Sequence, residues 1–125
     1  MTEKNIFVEK LKKRTRKFGV DVILFCDSLK QKKASSVVTY QLVKSATSTG
    51  ANYRAACRGR SQAEFFSKIC IVVEEADESC FWLEVIKESY LSNNLLELER
   101  LLQEGIEITK IVTKSKDTTY KNINY

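Results

Sequence analysis

The sequence predicts an all-α protein, an up-down-up-down four-helix bundle, and three observations carry that expectation. The chain of 125 residues contains no proline and only four glycines, so little in it interrupts a helical hydrogen-bond ladder. Apolar residues recur in steps of three and four through four long segments, the period of a helix with one buried face. Polar stretches of a few residues separate these segments, which makes consecutive helices antiparallel neighbours. A chain of this length builds a single core and is read as one domain over residues 1–125.

The first helix is expected at about residues 5–29, with Leu11, Phe18, Val22, Phe25 and Leu29 inward and Lys30-Gln31-Lys32-Lys33 as the turn that follows. The second is expected at about residues 36–59, with Leu42, Ala46, Thr49, Tyr53 and Ala56 inward and Gly59 as its stop. Gly50 lies inside it and costs about 1 kcal/mol relative to alanine, a cost that makes sense if a neighbouring helix approaches closely there. Ser61 and Glu64 form a capping box that opens the third helix, residues 62–91, whose stripe is Phe65, Ile69, Val72, Ala76, Cys80, Leu83, Ile86 and Tyr90. Asn94 with Glu97 repeats that signal before the fourth, residues 95–114, which turns Leu95, Leu98, Leu102, Thr109 and Val112 inward, flanked by Leu101 and Ile108. Residues 115–125 are polar, carry no stripe and are expected as a flexible tail.

Charged residues interrupt the N-terminal region, so neither a signal peptide nor a membrane span is drawn, and the expected location is cytoplasmic. The four cysteines (Cys26, Cys57, Cys70, Cys80) form no C-x-x-C pair and the chain has no histidine, which leaves the usual zinc sets incomplete. Without histidine, the Glu-x-x-His pairs of di-iron bundles and a Cys–His nucleophile also drop out. Cys57 lies between Arg54 and Arg58 but faces inward on a helical wheel, so it reads as packing. No catalytic residue, metal or cofactor is therefore expected, and no enzymatic activity.

One run keeps a rival reading alive. Glu74-Glu75-Ala76-Asp77-Glu78 matches the Glu-Glu-x-x-Glu that holds Mg²⁺ in all-α nucleotide pyrophosphohydrolases, since carboxylates three and four apart share a helix face. The partner motif would have to be Glu104-Gly105-Ile106-Glu107, which ends in Glu107 where that superfamily has aspartate. A solvated acidic face, or a partner for a basic helix, is the plainer role.

Charge divides the chain more informatively. Residues 1–60 hold 14 Lys or Arg against 4 acids, whereas residues 61–125 hold 7 against 12. On the first helix Lys10, Lys13 and Lys17 line the face away from the core, with Lys12 and Arg16 beside them. On the second, Lys44, Arg54 and Arg58 share an outward stripe with Tyr40, Thr47 and Ala51. Two adjacent rows of this kind attract the phosphates of RNA or DNA through counterion release. The alternatives are solubilising faces, an answer to the acidic third helix of another subunit, or a protein-interaction scaffold without a nucleic-acid role. Ile71, Phe81, Trp82 and Val85 fall away from the third helix's core stripe, and their exposure predicts a subunit contact. The other possibility for Trp82 is that it covers the edge of the core between two helices.

The stretch Ser48-Thr49-Gly50-Ala51-Asn52-Tyr53-Arg54-Ala55-Ala56-Cys57-Arg58, followed by Ala63-Glu64-Phe65, Glu74-Glu75-Ala76-Asp77-Glu78 and Trp82-Leu83-Glu84, resembles the bacterial four helix bundle protein family. That family was first met in proteins encoded in intervening sequences of 23S ribosomal RNA genes. The resemblance runs roughly from Lys17 to Val112. It implies a ring-shaped homo-oligomer, a pentamer, in a ribosomal RNA setting, and no enzymatic activity is established for the family. Relatives include the accessory protein of diversity-generating retroelements, which implies nucleic acid and a reverse transcriptase as partners.

Overall fold

Four helices follow one another in the structure, a computed structural model that describes residues 2–124: α1 (Glu3–Cys26), α2 (Ser35–Ala56), α3 (Gln62–Glu88) and α4 (Leu95–Asn124). Side-chain caps open three of them. The Thr2 hydroxyl accepts from the Asn5 N–H at 3.1 Å, the Ser61 hydroxyl from the Glu64 N–H at 3.1 Å, and the Asn94 carbonyl from the Glu97 N–H at 3.3 Å. Each satisfies a backbone donor that the first helical turn leaves free. The box at Ser61 differs from expectation in one bond, because Glu64 reaches back to the Arg60 N–H, at 2.6 Å, and not to that of Ser61.

The core lies where the stripes converge. Phe18, Val22, Leu42, Ala46, Tyr53, Ile69, Val72, Leu83, Ile86, Leu98, Leu101, Ile108 and Val112 are all buried in one cluster. Each large side chain so buried stabilises the fold by about 1.5–3 kcal/mol. The α2–α3 seam is close enough for the buried hydroxyls of Ser45 and Ser79 to meet at 3.1 Å.

The α1–α4 seam is the least packed of those in contact, and ion pairs hold it. Arg14 donates through Nε and Nη2 to both oxygens of Glu104 at 2.8 Å and through Nη2 to Glu107 at 2.7 Å. Further along, Arg100 reaches Asp21 at 2.9 Å and Glu97 at 2.6 Å, and Lys17 reaches Asp21 at 2.7 Å. Burial alone would raise the Asp21 carboxyl, but hydrogen bonds from Lys17 and Arg100 outweigh it and hold the group below its ordinary value.

Four sequence expectations are corrected. Residues 115–124, expected to lie beyond the last helix as a tail, continue α4; Tyr125 lies outside the described residues. No glycine or proline stops α4 there, and the Tyr120 ring packs 5.8 Å from that of Phe66 on α3. Secondly, α1, α2 and α3 each end three residues before the expected limit. The turn after α1 is held by the turn after α3, through a bridge between Leu29 and Ser92 and a hydrogen bond from the Lys30 N–H to the Leu91 carbonyl at 2.8 Å.

Thirdly, Tyr90 is exposed and not in the core, because it takes the left-handed conformation, φ 58°, that closes α3. Its N–H bonds to Lys87 and that of Leu91 to Ile86, the Schellman pattern in which glycine usually stands. Finally, Leu95 is exposed because it sits in the first turn, beyond the packed layers. The buried face of α4 is Leu98, Leu101, Gly105, Ile108 and Val112, and Leu102 and Thr109 border it.

Candidate functional site

Two glycines bring α1 and α2 together. A Cβ at Gly50 would stand 3.2 Å from the backbone of Thr15 and Arg16, and one at Gly19 would stand 3.4 Å from the Cα of Thr47. Gly50 therefore serves the close approach that its position suggests, and Gly19 does the same one layer along. With no side chains filling the seam at these points, a groove of about 560 Å³ runs between the two helices. Its walls are Glu9, Lys12, Lys13, Arg16, Val20 and Ile23 from α1 and Thr47, Ala51, Arg54 and Arg58 from α2 or its end, over Thr15, Gly19 and Gly50.

The antiparallel register orders these residues. Gly50 faces Thr15 and Arg16 while Gly19 faces Thr47. Arg54 and Arg58 therefore lie along the stretch of α1 from Arg16 back to Glu9, and Val20 and Ile23 lie at the opposite end. The groove is cationic at one end and apolar at the other. Lys12 is paired with Glu9 at 3.2 Å, whereas Lys13, Arg16, Arg54 and Arg58 have no ion-pair partner among the described residues. Arg14 and Arg100, by contrast, are each held by two carboxylates in the α1–α4 seam. Four uncompensated cations in one furrow create a positive potential that an anion entering it would neutralise.

Five of the eight basic residues expected at a nucleic-acid surface are thus brought together: Lys12, Lys13, Arg16, Arg54 and Arg58. The other three are placed elsewhere. Lys17 is committed to Asp21 in the α1–α4 seam, and Lys10 does not line the groove. Lys44 stands 6.0 Å from the centre of the Tyr40 ring and close enough to Glu75 for its charge to oppose the rise in that carboxyl. A helical wheel marks all of them outward without saying which neighbouring helix flanks each arc, and this is the reason for the difference.

Cys57 sits at the edge of this site with Tyr53 alongside. Burial raises its thiol, and the Tyr53 hydrogen bond and the Lys12 charge only partly offset that, so the thiolate is disfavoured. In the acidic run, burial first and then the charge of Glu78 raise the Glu75 carboxyl. Glu104 and Glu107 are both occupied by Arg14. No group of three or more acidic, cysteine or histidine side chains able to hold a metal ion is gathered among the described residues.

The four residues expected at a subunit contact are not equally exposed. Phe81 is 53 % exposed, whereas Ile71, Trp82 and Val85 are half-buried and Trp82 packs against the core. Because α3 has α2 on one side and α4 on the other, more of its circumference is covered than one apolar stripe predicts. Phe81 and Trp82 meet edge to face with centroids 5.0 Å apart. The Trp82 indole N–H is buried without a partner among the described residues.

Sequence reasoning missed Gly19, Val20, Ile23 and Glu9 as parts of the groove. A usable signal was present, since Gly19 and Gly50 are small residues interrupting two consecutive basic helices. Among the described residues, no helix is long and apolar enough to cross a membrane.

No family model matches the chain, and no curated protein does. Among solved structures it is similar to a crystal structure from Bacteroides thetaiotaomicron VPI-5482, a protein with unknown function from the S23 ribosomal protein family. The two are 29% identical with a TM-score of 0.73, over 85% of this chain and 97% of the other. The likeness supports the all-α bundle.

Proposed function

We propose that this chain is a non-enzymatic, self-associating member of the family of that S23 relative, and that it binds RNA or DNA through phosphates held along the α1–α2 groove. The observation that carries the reading is the gathering of Lys12, Lys13, Arg16, Arg54 and Arg58 around one furrow, four of them without an ion-pair partner among the described residues. The ribosomal name of the relative's family fits a ribosomal RNA setting. Binding of this kind positions a phosphate backbone and reads little sequence. With about four phosphates neutralised, log affinity should fall against log salt with a slope of roughly −4 on a duplex and about −3 on a single strand. Fluorescence anisotropy with labelled RNA and DNA between low and physiological salt measures it. Absence of binding at low salt, or a flat salt profile, would leave the protein-interaction scaffold as the better reading.

Self-association rests on the exposed Phe81 ring, packed on Trp82 at the outer edge of α3. Light scattering should return a mass several times 14.4 kDa, with five copies as the proposed ring. Phe81→Glu should lower that mass while leaving helicity unchanged, because Phe81 lies outside the core. A wild-type monomer at tens of micromolar would end this part of the proposal.

A further inference from the structure

The groove is not uniformly charged, and its second half bears on what kind of nucleic acid it takes. Beyond Arg16 the α1 wall changes to Val20 and Ile23, which are 49 % and 44 % exposed, and the α2 wall to Thr47. Exposed β-branched residues there leave an apolar shelf next to four cations that have no ion-pair partner among the described residues. From Glu9 to Ile23 the α1 wall runs roughly 20 Å at the helical rise. The floor is made by Gly19, Gly50 and the buried Thr15, so it lies below the long side chains of the rim.

A double helix is too broad to enter such a furrow. It would meet only the rim, its bases stacked inside and its phosphates against the ends of the lysines and arginines. A single strand is narrow enough to descend. Its phosphates would pair with Arg16, Arg54 and Arg58, and an unpaired base would lay one face on Val20 and Ile23, with the Arg16 guanidinium at the boundary between the two regions. The contrast with α4 is instructive. Lys110, Lys114 and Lys121 also form a basic row, but Asp117 interrupts it and every residue around it belongs to that one helix, so it offers charge without a furrow or a shelf.

We infer that the α1–α2 groove is a single-strand site, taking phosphates at its Arg54–Arg58 end and an unstacked base at its Val20–Ile23 end. This rests on the phosphate-binding reading of the same groove and adds to it a choice of strandedness and a role for two aliphatic residues. Recognition is by stacking and charge, so it is tolerant of sequence and shared by RNA and DNA strands.

The test uses the full chain and three probes of equal length in the same low-salt buffer: a single-stranded oligonucleotide, the same sequence as a duplex, and an abasic strand that keeps the phosphates and lacks the bases. The single strand should bind about tenfold or more tightly than either of the others. Val20→Ala with Ile23→Ala should weaken the single strand to nearly the abasic level and leave the abasic affinity unchanged. Both positions are half exposed, so the fold should survive, and circular dichroism checks this. If the variant unfolds, the three-probe comparison on the wild type still decides. Equal binding of all three probes would overturn the single-strand inference while leaving the phosphate-binding reading standing. Binding to none would overturn both.

Discussion

Reversing charge at Arg54 and Arg58 together should weaken RNA and DNA binding by roughly a hundredfold at low salt and flatten the salt dependence by about two contacts. The magnitude follows from where the two guanidinium groups sit. Both line the same furrow as Arg16 and Lys13, and neither is engaged by a carboxylate among the described residues. Each is therefore free to meet a phosphate without first breaking an internal pair. Glutamate at these positions removes two attractive partners and adds two repulsive ones beside the strand. Stability should change little, because Arg54 and Arg58 are exposed and outside the core.

The control is Lys110→Glu with Lys114→Glu on α4, which alters net charge by the same amount at a place that does not line the groove. That variant should bind within a few-fold of the wild type. Anisotropy titrations at several salt concentrations separate the two cases. If both double variants lose affinity equally, net charge and not the groove governs binding, and the site assignment is wrong. Arg14 supplies a different comparison: it is cationic too, but two carboxylates already hold it, so its replacement should disturb the α1–α4 seam more than binding.

The inward faces of α1 and α2 were legible because their apolar residues recur at the helical period, and Phe18, Val22, Leu42, Ala46 and Tyr53 are all buried. In α3 the period was legible but the width was not. Flanked on both sides, that helix half-buries Ile71, Trp82 and Val85, which a single-stripe wheel turns to water. Tyr90 leaves the stripe that its spacing predicts because the left-handed closure of a helix is signalled by glycine, and here a tyrosine adopts it. The polar composition after Lys114 suggested a tail, yet composition alone does not stop a helix that has already nucleated. At the groove the cations were visible as residues, but their grouping depended on which helix flanks each arc of α1. Asp21 draws Lys17 to the far seam, where Asp21 is also held by Arg100, a pairing that spans 79 positions along the chain. Gly50 advertises a close approach, and Gly19 carries the same signal on α1.

Gly105 should be the least replaceable glycine in the chain, and Gly105→Val should lower stability by about 1–3 kcal/mol through overpacking. In the fourth helix it stands in the buried face between Leu101 and Ile108, although as a sequence letter it marks a weak point in a helix. A Cβ there would lie 2.9 Å from the Cys80 sulfur and 3.3 Å from the Phe18 ring, and both of those side chains are buried. Alanine makes the balance instructive, since it would gain up to about 1 kcal/mol of helix propensity and lose it again against that sulfur. A double-mutant cycle therefore isolates the contact: Gly105→Ala combined with Cys80→Ala should be more stable than the two single changes add up to, by about 0.5–3 kcal/mol. Thermal melts followed by circular dichroism read both results, with Gly105→Val shifting Tm by roughly 4 °C for each kcal/mol lost. A Gly105→Val protein that melts with the wild type, or a cycle whose changes simply add, would mean that α4 stands further from Cys80 and Phe18 than this packing requires.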